Sequence, residues 1–124
     1  MAASVGTLSL SAATKAGDIS YNRDIRPILA ENCFTCHGPD SAARKANLRL
    51  DSFEAATSPR KDSNPAIVAT KPDESEAIRR IFTSDDDDRM PPPKSKKVLK
   101  SEQKELIKRW VAAGAKYEGL KTVL

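Results

Sequence analysis

Cys33-Phe34-Thr35-Cys36-His37 constrains this chain more than anything else in it, because it holds both cysteines and the only histidine among 124 residues. Two thiols three positions apart, followed at once by an imidazole, gather the chain's best metal- and carbon-bonding groups onto one helical turn. A disulfide-rich scaffold is excluded by the count of two. A structural zinc site needs four ligands, and Cys and His stop here at three unless a carboxylate joins. A thioredoxin-type redox pair belongs in a βαβ setting, and no strand pattern precedes this motif.

What remains is C-x-x-C-H as the attachment signature of c-type haem. Thiols at this spacing reach the two vinyl groups along one porphyrin edge, and each forms a thioether. His37 then falls beneath the ring, where its imidazole can ligate the iron. The expected cofactor is therefore one haem c, held through Cys33 and Cys36. The other axial ligand follows by elimination. No second His exists, and the methionines are Met1, in the leader, and Met90, 53 residues after His37. That separation lets the chain wrap a haem and return on its far face, and Pro91-Pro92-Pro93 restricts the loop behind Met90. A Met/His pair on haem iron suits electron transfer. The plainer reading of Met90 is a core gap-filler, but its neighbours Arg89 and Pro91 are not core-like.

Length and composition agree with a small cofactor domain. A chain of 124 residues fits one domain with a limited core. Aromatic residues are 5%, and a buried cofactor would stand in for the missing core. No run of 18 apolar residues occurs, so no transmembrane helix is expected. Residues 1–17 lack the basic start and apolar stretch of a secretory signal. They are expected to be a loosely ordered leader or cloning remnant, with the domain over 18–118 and a tail over 119–124.

The element pattern is helical. A first helix is expected from about Asp24, as N-cap, to Cys36, with Pro27 in its first turn, Ile25, Ile28, Leu29 and Cys33 on one face, and Gly38-Pro39 as the stop. Ala46 to Asp51 alternates as a short extended piece, and Asp51 or Ser52 can cap a short helix through Ala56. Ser58 to Pro65 reads as loop. A second helix is expected over Pro72 to Thr83, burying Ile78, Ile81 and Phe82. Asp85 to Asp88 is a polar turn without the spacing of an EF-hand. The last helix is expected over Ser101 to Ala113, with Ser101 as N-cap, Leu106, Ile107, Trp110 and Val111 on one face, and Gly114 as terminator. With no convincing sheet, the class is all-α.

These pieces together resemble a known family. Asn22 to Leu29 precedes Cys-x-x-Cys-His-Gly-Pro-Asp, then come Leu48 to Asp51, Ala66 to Val68, Lys71 to Ser75, Ile78 to Ile81, Arg89-Met90-Pro91-Pro92, and the helix running into Trp110-Val111-Ala112-Ala113-Gly114. The pattern is similar to the planctomycete-type cytochrome c domain, a class I cytochrome c-like fold, over about Ile19 to Tyr117. The resemblance implies N- and C-terminal helices crossing beside a covalent haem, with Ile25, Ile28 and Leu29 meeting Leu106, Ile107 and Trp110. It implies Cys33 and Cys36 as anchors, and His37 and Met90 as ligands. It also implies a module that can sit within a larger exported protein, hence a periplasmic or otherwise exported setting.

Phe34, Leu48, Leu50, Phe53, Ile67, Ile78, Phe82 and Leu99 are candidates for the pocket walls, and Trp110 is read as packing rather than as a propionate donor. Lys94 to Lys121 carries nine Lys or Arg against three Glu, net +6, which leaves −2 for the rest. This basic face either steers an acidic redox partner or is simply solvated. No nucleic-acid motif accompanies it. The expected function is a monomeric electron-transfer module that is not itself an enzyme. The alternative is a haem-based gas sensor in which Met90 is displaced. A peroxidase is disfavoured by the lack of a distal His.

Overall fold

The computed structural model describes residues 19–38, 48–61 and 63–118. The leader at 1–17, the tail at 119–124, and positions 39, 46 and 47 of the expected turn and extended piece lie outside the described residues. Those described form helices and loops, with no strand.

The chain enters through a π-helical turn, Tyr21–Ile25, that runs directly into helix α1, Arg26–Asn32, and then α2, Phe34–His37. Ser20 rather than Asp24 caps the first turn. Its hydroxyl accepts from the Arg23 amide, while the Asp24 carboxylate reaches back to accept from the Ser20 amide at 2.9 Å. The two residues thus cap each other, as in a capping box, and helical structure starts earlier than the sequence suggested. Pro27 falls in the first turn of α1, where its missing N–H costs nothing.

Ser52 caps α3, Phe53–Ala56, by accepting from the Ala55 amide. The helix expected from Pro72 is two pieces. A 3₁₀ turn, Pro72–Glu74, stops at buried Ser75, and α4, Glu76–Phe82, follows. The cause is the Ser75 hydroxyl, which accepts from the Val68 amide (2.8 Å) and donates to the Lys71 carbonyl (3.0 Å). The side chain competes with the helical ladder for backbone groups. The first amides of α4 instead use the loop before it: Glu76 bonds the Pro65 carbonyl and Ala77 the Ala66 carbonyl.

A further 3₁₀ turn, Pro93–Ser95, follows the extended Pro92, so the proline run is stiff for a shorter distance than expected. The last helix, α5, is Ser101–Ala112. Its N-cap is Lys100, whose amide donates to Gln103 Oε1 at 2.8 Å, and not Ser101. Gly114 (φ 118°) ends it in the left-handed region, as the sequence predicts. Ala115 (φ 51°) extends the reversal while fully buried. Two successive left-handed residues turn the chain sharply back onto the helix it has just left.

A single apolar core joins these elements. Ile25, Ile28, Leu29, Ile78, Ile81, Ile107, Trp110 and Val111 are buried in it, so the expected faces of the first and last helices point inward. Helix α5 packs on the Tyr21–Ile25 turn and on α4. The contact expected between the first and last helices falls on the π-helical turn, and Tyr21 meets Trp110 there with ring centroids 5.6 Å apart. Phe82 departs from expectation. It is 41% exposed rather than buried, with the ammonium groups of Lys104 and Lys108 over its ring at 6.0 and 5.6 Å. Position 82 is the last residue of α4, one turn beyond buried Ile78.

Candidate functional site

Cys33, Cys36 and His37 lie on one continuous backbone feature. The Cys33 amide donates to the Leu29 carbonyl at the end of α1 (2.7 Å), and the Cys33 carbonyl accepts from the amides of Cys36 (3.2 Å) and His37 (2.8 Å). Cys33 itself breaks the helix at φ −128° and becomes the N-cap of α2. The tight turn between the two helices is therefore built around the first cysteine, with the second cysteine and the histidine on the turn it closes.

Gly38 explains how the turn ends. It is buried, and a Cβ there would stand 2.3 Å from the Phe34 carbonyl oxygen, a backbone atom that has no room to yield. The glycine is required by close approach of the backbone and not by its φ, which is ordinary at −123°. Past it, the Leu50 amide returns to the motif and donates to the His37 carbonyl at 2.7 Å. His37 closes a four-residue helix, so its carbonyl would otherwise be one of the orphaned acceptors of a helix end.

The surroundings are apolar. Cys33, Phe34 and Leu48 are half-buried and pack against the core, and Leu50 is buried. Burial, with Cys36 as a second cause, pushes the Cys33 thiol up to about 12. A thiol held protonated is the opposite of the lowered-pKa thiolate that C-x-x-C oxidoreductases use. Of the proposed pocket walls, Leu50, Ile67, Ile78 and Leu99 are buried. Phe53 is 42% exposed, and Phe82 lies on the surface as described. Trp110 is buried and spends its indole N–H on the Lys116 carbonyl at 3.1 Å, as a packing residue would.

Met90 is positioned separately from that turn. It is half-buried, its amide donates to the Arg80 carbonyl in α4 (3.0 Å), and the Met90–Pro91 peptide is cis. Around this anchor lies a charged network. Glu76 binds Arg79 (2.7 Å) and Arg80 (2.8 Å), and both arginines reach Asp88 (3.4 and 3.7 Å). Arg80 Nη1 also donates to the Asp88 carbonyl at 3.3 Å. The Asp85-to-Asp88 turn is thereby tied to α4 just before Met90.

Reading the sequence missed a third part. Tyr21 and Tyr117 stack at 4.6 Å, Tyr117 meets Trp110 edge-on at 5.1 Å, and the Tyr117 hydroxyl donates to the Leu50 carbonyl at 2.8 Å. The available signal was scarcity: with six aromatic residues in the chain, two tyrosines bracketing the helical pattern deserve a packing role.

Two thiols and one imidazole on a single turn, next to an apolar border and in an all-α frame, fit a covalently attached haem, and they fit no four-ligand metal site. Among the described residues, no group of three or more His, Cys, Asp or Glu side chains can hold a metal ion. The class these features define is that of helical c-type haem proteins. The chain belongs to the planctomycete cytochrome C family, whose family model matches residues 33–94, half of the chain. The matched stretch opens on Cys33 and includes Cys36, His37 and Met90; the first and last helices, which the resemblance also took in, fall outside it. Comparisons with curated proteins and with solved structures gave no match. Members of such a family are haem-based electron carriers, and no helix among the described residues is long and apolar enough to cross a membrane.

Proposed function

We propose that this chain carries one haem c through thioethers at Cys33 and Cys36, with His37 and Met90 as axial ligands, and passes single electrons in an exported redox system. The observation that carries the reading is the Cys33–His37 turn itself, closed by Gly38 and bordered by apolar side chains. When bound, haem supplies an iron centre that gains and loses one electron. The chain's own residues do the rest. Cys33 and Cys36 fix the group covalently, His37 offers an imidazole from a backbone pinned at both its amide and its carbonyl, and Met90 offers a thioether from a loop pinned to α4. An apolar border disfavours the extra charge of the oxidised state and raises the potential.

The proposed partner is an acidic redox protein or another domain of a larger parent. Each ion pair among the described residues uses an arginine. Lys94, Lys96, Lys97 and Lys100 are exposed and take part in none of those pairs, and Lys104 and Lys108 frame the half-open Phe82 ring. Unneutralised lysines around an exposed aromatic ring suit association that is steered by charge and weakened by salt.

The test is expression with c-type maturation machinery. Wild type is expected to gain the mass of one haem, resistant to denaturing extraction, and Cys33→Ala/Cys36→Ala is expected to gain none. Met90→Ala is expected to lose the sulfur–iron charge-transfer band of the ferric protein and to lower the potential. Wild type without added mass sinks the proposal. Ready binding of carbon monoxide by the reduced wild type would move the function to gas sensing, with Met90 displaced.

A further inference from the structure

We infer that Tyr117 is a positioning residue for His37, acting through Leu50 from the opposite end of the chain. The link consists of two hydrogen bonds on one residue. The Tyr117 hydroxyl donates to the Leu50 carbonyl (2.8 Å), and the Leu50 amide donates to the His37 carbonyl (2.7 Å). Leu50 is thus clamped on both faces of its backbone, between the motif and the segment after α5.

Each side of the clamp is built. On the Leu50 side, Arg49 and Asp51 form a two-pronged ion pair across it, at 2.9 and 2.5 Å, which restrains the backbone where the two bonds meet. On the Tyr117 side, the left-handed Gly114 and Ala115 return the chain, and the ring is caught by Tyr21 (4.6 Å), Trp110 (5.1 Å) and Phe53 (6.3 Å). A ring gripped on several sides has little freedom, so its hydroxyl is delivered at a fixed point. Burial, then the nearby Tyr21, Asp51 and Cys33, pushes this hydroxyl far above its ordinary range, which keeps it a donor at any working pH.

His37 ends a helix of four residues, too short to hold its last residue by itself. Its amide is fixed by Cys33 and its carbonyl by Leu50. Fixing both ends of the residue fixes the Cα–Cβ direction from which the imidazole projects, which favours its staying bound as a ligand. Tyr117 completes that restraint without touching the imidazole.

The inference rests on His37 being the haem ligand, and the test separates the two ideas. Tyr117→Phe removes the hydroxyl and keeps the ring. Amide exchange in the full chain is expected to speed up at Leu50 by about tenfold, the worth of one hydrogen bond, with Val111 unchanged. In the haem-loaded protein, acid titration is expected to release His37 from iron at a higher pH than in wild type. Ile107→Val, a core change that leaves both hydrogen bonds of Leu50 intact, serves as the control for general loosening and is expected to leave that titration in place. Unchanged Leu50 exchange, or a titration that moves equally in both variants, overturns the inference. Exchange at Leu50 needs no haem, so a wild type that attaches none sinks the electron-transfer reading while Leu50 still decides the clamp.

Discussion

His37 and Met90, the two proposed ligands, come from regions held by different forces. The His37 region is fastened to the interior: a buried glycine pressed on the Phe34 carbonyl, a backbone bond from buried Leu50, and an aromatic group behind Leu50. The Met90 region is fastened to the surface, through one backbone bond to Arg80 and a partly exposed network of Glu76, Arg79, Arg80 and Asp88. Apolar packing and close backbone contact respond little to salt or mild acid, while partly exposed ion pairs respond to both. The expectation is an asymmetric site, in which the Met90 side loosens first and the Cys33–His37 turn persists.

The largest effect that can break this contrast lies on the rigid side. Gly38→Ala puts a Cβ 2.3 Å from backbone, so the turn has to shift. Overpacking of this kind costs about 1–3 kcal/mol, and this case belongs at the upper end because the obstructing atom is a carbonyl oxygen and not a flexible side-chain tip. Denaturant unfolding is expected to show a lowered midpoint with an unchanged slope, and haem attachment is expected to fall in parallel. A variant as stable as wild type would show that the turn is softer than its contacts imply.

Ser75→Ala tests the frame beneath the Met90 side. Ser75 is buried, and its hydroxyl serves both the Val68 amide and the Lys71 carbonyl. Removing it strands the Val68 amide and takes one of two donors from the Lys71 carbonyl, which keeps the Glu74 amide, with an expected loss of about 1–2 kcal/mol. The comparison is sharpened if the Met90 amide exchanges faster in this variant while the Leu50 amide does not. Equal acceleration at both sites would mean that the two regions share one cooperative unit.

The sequence announced these regions unequally, for physical reasons. The His37 turn was legible because its chemistry resides in side chains at fixed spacing, and helix faces such as Ile25, Ile28 and Leu29, or Ile107, Trp110 and Val111, follow from periodicity. Gly114 was legible as a terminator because only glycine takes its φ without cost. Ala115 was not, because alanine is left-handed only when tertiary burial forces it, and the return of Tyr117 onto Leu50 depends on that reversal. The break at Ser75 and the start at Ser20 were missed alike. In both, a hydroxyl competes for backbone partners, and which serine wins depends on a loop elsewhere, or on a carboxylate four residues away. Phe82 shows the remaining gap: its spacing from Ile78 fits the buried stripe, yet as the last residue of α4 it lies 41% exposed.

The smallest effect is the most specific to the contrast. Arg79, then Arg80, holds the Glu76 carboxyl below its ordinary value of 4.5, against the opposing push of burial. A folded value depressed below the unfolded one means that the ion pairs contribute fully above about 4.5 and lose that contribution as pH falls through the depressed value. Glu76→Gln is therefore expected to cost about 0.5–1 kcal/mol at neutral pH, a modest figure because Arg79 is half exposed and solvent screens the pair. The gap between wild type and variant should stay flat across neutral pH, close under acid and narrow in high salt. Amide exchange at Met90 should follow the same course, since Arg80 supplies both a charge to the network and the carbonyl that holds Met90. Leu50 exchange should not. If Leu50 tracks Met90 through the acid titration, the charged network supports the whole site and the asymmetry is lost. If only Met90 moves, the surface network governs the exchangeable side of the site and the core governs the permanent one.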